Sequence, residues 1–548
     1  MFGELPRCVR RQVQQNEDIP MKHKKTIMFS LLDLVLSLSI CAVPAAAAPQ
    51  TPNIVYILAD DLGYGDVHVL NPQRGKIATP NLDRLAAQGM VFTEAHSSSA
   101  VCTPSRYSIL TGRYNWRSSL QSGVLGGDSK PLIAADRLTV PALLKQHGYQ
   151  TACIGKWHLG MDLSLKEPEK PIGRGPTTLG FDYYFGISAS ADMPPYAFIE
   201  NDRFTEAPTV IKELYKTRPG PAAPHFAVVD VLPTLVQKSR EWINQHQAQP
   251  FFLYLPLNSP HTPLAPTKEW KGKSGLGDYA DFVMETDWAV GEVLKALDAA
   301  GLTDRTLVIV TSDNGCAPYV GTLSTNAPAL SYQEMGAVAQ LEAKGHFPSE
   351  WRHGYKSDIW DGGHRVPFIA RWPGKIKPET RSDQLVCLSD LMATCADLLG
   401  AKLPDNAGED SVSILSALLG TAAKPLREAV VYHSMEGRFG IQQGRWKLEL
   451  CPGSGGWSIP GDPAAKKQGL PLVQLYDKAA DIGEIHNVQA EHPAIVERLT
   501  SLLEKYVAEG RSTPGLAQTN DVQVDIWKYR LNEPKESKPA KKHGPEAN

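Results

Sequence analysis

The stretch NIVYILADDLGYGD, residues 53–66, indicates how this chain folds. Its first half is a continuous apolar run rich in β-branched residues, which is typical of a strand buried on both faces of a sheet. The run ends abruptly in Asp60 and Asp61. Because ligands of open α/β sheets bind at the carboxyl ends of the strands, the stretch predicts a buried strand and the place of a functional site.

The same pattern recurs along the chain. Further apolar runs that end in polar residues are 150–157, 250–258, 306–315 and 367–374, and segments with a helical period between them are 81–89, 140–148, 231–247 and 279–301. Strands that alternate with helices predict an α/β domain with a mostly parallel central sheet flanked by helices.

The pattern changes near residue 425. Four short runs separated by turns, 428–435, 438–444, 445–451 and 473–479, precede one helical segment, 492–510. They predict a small C-terminal antiparallel sheet with one helix. We therefore divide the chain into a large domain over 49–424, an α+β subdomain over 425–512, and an extended tail over 513–548 whose Pro/Lys/Glu-rich end we expect to be disordered.

The N-terminus has the composition of an export signal. From Met21, which we take as the start, a basic segment is followed by an apolar run and then by small residues suited to cleavage near Ala48. A membrane anchor is the weaker alternative, because the run is short and contains Asp33. Residues 1–48 are thus predicted to be a leader that directs the protein to the periplasm or outside the cell. No other apolar run is long enough for stable membrane insertion.

Charge and cysteine usage exclude other classes. The 548 residues carry a net charge of -3 with dispersed Lys and Arg, which gives no basis for nucleic-acid binding. Beyond the leader the cysteines match no CxxC motif; they are Cys102, Cys153, Cys316, Cys387, Cys395 and Cys451. If Cys102 is chemically active, at most two disulfides form. The alternative is that most of these cysteines are small buried hydrophobic residues.

Acidic and amide side chains follow two of the predicted strands. Asp60 and Asp61 follow the first strand, and Asp313 and Asn314 follow the strand that starts at Thr306. Such pairs also form turns and helix caps. Two pairs at strand ends nevertheless favour a hard-oxygen site for calcium or magnesium.

Basic side chains and imidazoles lie near the same predicted edge. Lys156 and His158, which we place on one face of a strand, are joined by His261 and by Lys356. A single histidine is more often structural than catalytic. Several cations beside one divalent metal nevertheless indicate a substrate whose negative charge lies on the reacting group.

These motifs resemble a known family. CTPSRYSILTG, residues 102–112, resembles the first sulfatase signature, and GYQTACIGKWH, residues 148–158, resembles the second. The acidic strand ends and the DGGHRVP element fit as well, so the resemblance spans about 52–490. It implies a type I formylglycine-dependent sulfatase of the arylsulfatase family, with an alkaline-phosphatase-like fold.

The resemblance also implies a chemical centre. Cys102 would be oxidised to formylglycine by a formylglycine-generating maturation enzyme, and the hydrated aldehyde would be the nucleophile. One Ca2+ ion would be bound by the modified Cys102 together with Asp60, Asp61, Asp313 and Asn314.

The remaining roles follow from the same family pattern. Arg106 would orient the hydrated aldehyde, and Lys156 and Lys356 would neutralise charge on the sulfate. His261 would protonate the leaving sugar oxygen, while His158 would take a proton from the hydrated aldehyde. Ser190 matches a polar position at the edge of the site. We expect Gly362, Gly363, Arg365 and Asp287 to brace the structure.

A long insertion, 316–355, distinguishes the chain from simpler family members and resembles the branch of bacterial N-acetylgalactosamine-6-sulfatases. We expect exo-acting removal of a galactose or N-acetylgalactosamine 6-O-sulfate during glycan degradation. The insertion and 433–457 would supply the sugar contacts, with Asp192 and His433 as candidates, although His433 could instead stabilise the small sheet. Aromatic residues that could stack on sugars or belong to the core are Tyr196, Trp351 and Trp457.

Two other functions remain open from the sequence. The first is a phosphomonoesterase or phosphonate hydrolase of the same superfold, which usually carries Asp and His ligands for a second metal. The second is an unmatured, non-catalytic sugar-binding protein.

Overall fold

The computed structural model describes residues 51–214, 218–320 and 337–528. The predicted leader and the end of the predicted tail lie outside this part of the chain. The strands are β1 Asn53–Ala59, β2 Met90–Phe92, β3 Ala95–His96, β4 Gln150–Lys156, β5 Tyr183–Ile187, β6 Ile199–Glu200, β7 Arg203–Phe204, β8 Val210–Lys212, β9 Gly220–Ala222, β10 Phe251–Pro256, β11 Thr306–Ser312, β12 Phe368–Arg371, β13 Thr380–Ser382, β14 Val386–Cys387, β15 Val430–His433, β16 Phe439–Gln443, β17 Trp446–Glu449 and β18 Gln474–Asp477.

The helices of the same residues are α1 Pro80–Ala87, α2 Cys102–Thr111, α3 Val140–Gln146, α4 Val231–Gln245, α5 Asp278–Ala299, α6 Ala337–Ala343, α7 Asp361–His364, α8 Leu391–Leu398, α9 Leu415–Leu418, α10 Asp462–Lys467 and α11 Pro493–Ala508. Every helix and strand segment predicted from the sequence contains one of these elements. None of these helices combines the length and the apolarity that crossing a bilayer requires.

The central sheet is mixed, with a parallel centre. Its strand order is β13-β2-β12-β11-β1-β10-β4-β5-β6-β7. The five strands from β11 to β5 are parallel. The pairs beyond them are antiparallel, except for β13 on β2. The predicted parallel sheet is confirmed at its centre, whereas β12, one of the predicted strands, runs antiparallel.

Helices cover both faces of this sheet. Successive side chains of a strand point to opposite faces, so Val55 and Ile57 of β1 pack in a core cluster with residues of α1, α4 and α5. Ile54, Tyr56 and Leu58 pack in a second cluster with residues of α2, α3 and α8. The six described cysteines are buried and free, which favours the alternative that most of them are small buried hydrophobic residues.

The expected bracing residues hold elements together. Asp287 of α5 accepts hydrogen bonds from the backbone N–H of Asn81 (3.0 Å) and of Leu82 (2.8 Å), so it satisfies two unpaired donors in the first turn of α1. A Cβ atom on Gly362 would lie 1.9 Å from the carbonyl oxygen of Gly354, so only glycine fits there.

The predicted C-terminal sheet is confirmed. Strands β15 to β18 form an antiparallel sheet, and α11 packs on it. The same core cluster includes Tyr114 and Trp116, which follow α2. The core of the small sheet therefore includes residues of the large domain. The domain boundary near residue 425 stays a prediction.

The described part of the tail packs on the segment after α2. Asp521 accepts hydrogen bonds from the guanidinium of Arg113 at 3.1 Å, and the side-chain oxygen of Asn520 accepts one from Arg117 at 2.8 Å. Both arginines are fully buried. The tail thus supplies a carboxylate for the buried Arg113 and an additional hydrogen-bond acceptor for the buried Arg117.

A buried ionic cluster joins the small sheet to α7. The ammonium groups of Lys447 and Lys478 lie within 3.1 Å of carboxylate oxygens of Asp361, Glu449 and Glu484. Two ammonium groups thus face three carboxyl groups, and the guanidinium of Arg365, 3.6 Å from Asp361, is shared with Glu94, so one carboxyl is in excess. Burial, together with Glu484 and Asp361 and against the opposing effect of Lys447, raises the pKa of Glu449 to about 8.

We expect Glu449→Gln to stabilise the protein at alkaline pH. A carboxyl whose folded pKa is raised stabilises the folded state fully below its unfolded pKa and loses this contribution as pH rises through the folded value. The variant should match wild type near pH 4.5 and exceed it by about 1–3 kcal/mol near pH 8, since one pKa unit is about 1.4 kcal/mol. Denaturant unfolding across this range measures the difference. Glu497→Gln, on an exposed position of α11, is the control, and a pH-independent effect of Glu449→Gln would contradict the prediction.

Candidate active site

The two acidic strand ends meet at the carboxyl edge of the sheet. Strands β1 and β11 are adjacent and in register, with Ala59 opposite Ser312, so the residues that follow them are neighbours. The backbone N–H of Asp61 lies 3.3 Å from Asp313 Oδ1, and Asn314 Nδ2 donates to Asp61 Oδ1 at 2.7 Å. These side chains and that of Asp60 are fully buried.

Each carboxylate has its own cation. Lys156 Nζ lies 2.7 Å from Asp60 Oδ2, and Lys356 Nζ lies 2.8 Å from Asp61 Oδ2. Arg106 donates to Asp313 Oδ2 through Nε at 2.9 Å and Nη2 at 2.7 Å, and its Nη1 donates to the Lys156 carbonyl. These pairs offset the cost of burying three negative charges.

The neighbouring cations give the buried carboxyl groups different pKa values. Burial favours the neutral form of Asp60, but Lys156, His261 and Arg106 outweigh it and hold the pKa of Asp60 well below its usual range. Burial, partly offset by Arg106, raises the pKa of Asp313 to about 6. Neighbouring carboxyl groups with different proton affinities are typical of functional sites.

Cys102 is the first residue of α2. Val101 provides no side-chain cap, so the first-turn N–H groups of the helix lack a capping acceptor from it. The Cys102 thiol lies 3.5 Å from Asp60 Oδ1, and Arg106 follows one helical turn later. Burial raises the pKa of the Cys102 thiol far above its ordinary value, so the unmodified side chain is neutral and a poor nucleophile.

His158 lies at the site but not on a strand. Strand β4 ends at Lys156, and His158 has a left-handed backbone with φ 58°, so the prediction that the two residues share a strand face is wrong. His158 Nε2 lies 2.7 Å from the Leu125 carbonyl, which fixes the proton on Nε2, and Nδ1 has no partner among the described residues. Burial, with Lys156 and Arg106, holds the pKa of His158 well below its usual range.

His261 has the opposite tautomer. Its Nδ1 lies 2.6 Å from the Thr262 carbonyl, so Nδ1 carries the proton and Nε2 faces Asp61 Oδ2 at 3.6 Å. Burial, with Lys356, lowers the pKa of His261 to about 4.

The donor set fits a hard cation. One ligand atom from each of Asp60, Asp61, Cys102 and His261 lies within 4.8 Å of the others. Asn314 Oδ1 is buried and has no hydrogen-bond partner among the described residues. A buried oxygen without a donor, beside three carboxylates, matches the oxygen ligands that calcium prefers.

A second buried group contains His96, Asp361 and His364. Arg365 Nη1 lies 3.4 Å from His96 Nε2, and Lys447 Nζ lies 2.9 Å from Asp361 Oδ1. His364 already has a partner at each ring nitrogen, His96 Nδ1 at 3.0 Å and the Ile359 carbonyl at 2.9 Å. None of the three residues lines the active-site cavity described below.

A narrow cavity of about 110 Å³ opens above Cys102. Predicted site residues that line it are Cys102, His158, Ser190, Asp192, His261 and Lys356. Lys156 and Arg106 lie below it and contact carboxylates instead. Ser190 Oγ and Asp192 Oδ1 have no hydrogen-bond partner among the described residues, so both oxygens can serve a ligand.

Other predicted contacts lie elsewhere. His433 is buried with Nδ1 3.1 Å from Asn115 Nδ2 and Nε2 3.2 Å from Lys528 Nζ, an arrangement that favours the alternative in which it stabilises the small sheet. Tyr196 is 1% exposed and belongs to the core. Trp351 is 54% exposed but covers the guanidinium of Arg74, away from the cavity.

The described part of the long insertion packs behind the metal-ligand candidates. The backbone N–H of Gly65 donates to the Pro348 carbonyl at 2.7 Å, and His346 Nε2 lies 2.8 Å from Asp66 Oδ1. Residues 321–336 lie outside the described chain. At the cavity itself, the insertion contributes Tyr319, and the segment 433–457 contributes Met435 and Trp457.

Sequence reasoning missed several lining residues, among them Met193, Arg218 and Thr262. Thr262 adjoins His261 and could have been found by proximity. Arg218 lies in a segment without a motif and reaches Asp192 across 26 residues, so no sequence signal indicates it.

Comparisons with known proteins decide the family. The sulfatase family model matches residues 52–401. The chain belongs to the sulfatase family. It is 34% identical to an N-acetylgalactosamine-6-O-sulfatase of Bacteroides thetaiotaomicron, over 83% of this chain and 93% of the relative. It is 32% identical to human arylsulfatase A, over 85% of this chain and 90% of the relative.

A solved Bacteroides thetaiotaomicron structure, described with the metabolism of multiple glycosaminoglycans, matches with a TM-score of 0.72 and 33% identity. The match covers 83% of this chain and 99% of the other. The expected alkaline-phosphatase-like fold is confirmed, and the sulfatase family places this chain among the sulfuric ester hydrolases.

Proposed function

We propose that this sulfatase is exported and removes the 6-O-sulfate of galactose or N-acetylgalactosamine at the non-reducing end of a glycan. The observation that carries the proposal is the narrow cavity in which Cys102 lies beside His158, His261 and Lys356. The relatives named as N-acetylgalactosamine-6-sulfatases support the substrate. Export rests on the composition of the predicted leader.

Cys102 needs chemical activation. Its buried neutral thiol is unsuited to attack on sulfur. Oxidation to formylglycine by a maturation enzyme would supply a hydrated aldehyde whose hydroxyl group is the nucleophile. Arg106, held by two hydrogen bonds to Asp313, acts as a positioning residue for the first turn of α2 and for that carboxylate.

Asp60, Asp61, Asp313 and Asn314, together with the modified Cys102, would hold one Ca2+ ion. When bound, the ion supplies positive charge that acidifies the nucleophilic hydroxyl group and attracts the sulfate oxygens. Lys356 lines the cavity and adds a fixed cation for the sulfate. Lys156 lies below the cavity and acts through Asp60, whose negative charge it offsets.

The two histidines divide the proton transfers. The unprotonated Nδ1 of His158 accepts a proton from the hydrated aldehyde, because the Leu125 carbonyl keeps Nε2 protonated. Protonated Nε2 of His261 donates to the leaving sugar oxygen. A bound sulfate raises the pKa of His261, since a nearby negative charge favours imidazolium. Net hydrolysis consumes one water and yields the sugar hydroxyl and inorganic sulfate, while Ser190 and Asp192 hold the sugar.

We expect Cys102→Ala and Cys102→Ser to abolish sulfate release while the fold is retained. An alanine side chain cannot become an aldehyde, and a serine side chain is a simple alcohol that supplies no hydrated aldehyde unless it is itself oxidised. Sulfate release and circular dichroism measure the two effects, and mass spectrometry of the wild-type peptide detects the oxidised residue. An unmodified thiol in active protein, or wild-type turnover by a Cys102→Ser variant whose serine is unoxidised by mass spectrometry, would contradict this proposal. An unmodified thiol in inactive protein would favour a non-catalytic sugar-binding function.

We expect calcium to raise the melting temperature of chelator-treated protein, and Asn314→Ala to reduce this rise. Ligand at a hundredfold excess over Kd stabilises by about 2.7 kcal/mol. Asn314 is chosen for substitution because its side chain is uncharged. Its removal therefore deprives no lysine or arginine of a carboxylate partner. Asn71→Ala is the matched control, since Asn71 is also buried and donates to two backbone carbonyls. Equal calcium shifts in both variants would refute the ligand assignment.

We expect a preference of about tenfold or more for 6-sulfates over 2-, 3- and 4-sulfates of galactose and N-acetylgalactosamine. Sulfate release from matched monosaccharides measures it, and the corresponding 6-phosphates test the phosphomonoesterase alternative. Preference for another sulfate position would overturn the regiochemistry alone. Faster hydrolysis of the phosphates would overturn the function.

A further inference from the structure

A second cavity adjoins the active-site cavity. It has a volume of about 350 Å³ and shares Val124, Met193 and Arg218 with the first. Clefts that bind small molecules usually measure about 300–1,000 Å³. The first cavity is well below this range, whereas the second has room for a neighbouring ring.

Arg218 stands at the junction of the two cavities and is held from two sides. Its Nη1 donates to Asp192 Oδ2 at 2.8 Å, and its carbonyl oxygen accepts a hydrogen bond from the Tyr196 hydroxyl at 2.6 Å. The Asp192 side chain is 8% exposed, but that of Arg218 is 45% exposed. Among the described residues Nε and Nη2 of Arg218 have no acceptor, so the guanidinium presents two donors at the junction.

The second cavity has the character of a sugar subsite. Leu165, Pro194 and Pro221 provide apolar surface, and the backbone of Gly126 and Gly127 forms another wall. A Cβ atom on Gly127 would lie 2.2 Å from the Pro194 carbonyl oxygen, so this wall packs closely against the segment that carries Pro194. Asp128 is the acidic residue of the lining, and Arg218 is its basic residue. Within this cavity an anionic group is therefore disfavoured beside Asp128 and favoured beside Arg218, which also pairs with Asp192.

We propose, on the basis of the proposed function, that the second cavity binds the sugar adjoining the sulfated one and that Arg218 pairs with a carboxylate or sulfate on that sugar. Arg218 is then a specificity-determining residue that favours acidic oligosaccharides over sulfated monosaccharides. A guanidinium is suited to this role because two of its donors can bind the two oxygens of one anionic group.

The test compares three substrates: a 6-sulfated monosaccharide, a disaccharide in which a uronic acid adjoins the same sulfated sugar, and that disaccharide with the carboxylate converted to a methyl ester. We expect wild type to show the highest kcat/KM on the acidic disaccharide. Arg218→Ala should lower this advantage about tenfold through KM, the size expected for one charge-assisted hydrogen bond. Arg218→Gln keeps an N–H donor for Asp192 and should lose the same advantage, which separates loss of charge from disturbance of Asp192.

Arg240→Ala is the matched control, because Arg240 is similarly exposed, at 53%, and also pairs with one carboxylate, that of Glu292. It should leave all three substrates unaffected. Equal losses on the monosaccharide and both disaccharides, or no loss of advantage in either Arg218 variant, would overturn this inference and leave the sulfatase function standing. A wild type that releases sulfate from none of the substrates would instead overturn the proposed function.

Binding of the unsulfated acidic disaccharide, followed by NMR, tests Arg218 without turnover. The inference requires weaker binding to both Arg218 variants than to wild type. It also requires an advantage over the methyl ester that diminishes as ionic strength rises. Binding that is equal for the acid and the ester would show that the cavity does not distinguish the charge.

Discussion

The cost of burying three carboxylates in one place governs the architecture around the active site. Asp60, Asp61 and Asp313 are fully buried, and unpaired ions in such a position would destabilise the fold by several kcal/mol each. Their counter-ions come from α2, from the end of β4 and from the loop before α7. These distant parts of the chain must converge on one sheet edge, which is also where the nucleophile candidate and both histidines lie.

The same principle attaches the C-terminal sheet. Besides its apolar contacts, the sheet meets the large domain through Lys447 and Glu484, which contact Asp361 or its backbone. Separating a buried ion pair leaves an uncompensated charge, so these contacts oppose displacement of the sheet. The sheet is thereby held in one position relative to the segment that carries Lys356 and to Met435 and Trp457 at the cavity.

Structural features that leave a pattern in neighbouring residues could be predicted from the sequence. Features that depend on contacts between distant residues could not. Buried parallel strands have continuous apolar runs, so β1 and β11 and the residues that follow them were found correctly. The antiparallel direction of β12 has no local signature, because it depends on which neighbour pairs with it. His158 was placed on a strand that ends two residues earlier. Tyr196 and His433 depend on contacts with distant residues, and Arg218 acts only through its encounter with Asp192.

The tail packs on the segment after α2, so the contacts of that segment are completed only late in synthesis. Arg113 and Asp521 are 408 residues apart. At synthesis rates of about 5–20 residues per second, roughly 20–80 s separate the appearance of these two partners. During that interval the segment next to the Cys102 helix lacks one of its buried ion pairs. The segment next to the Cys102 helix therefore acquires its full set of ion pairs only after residue 521 has been made.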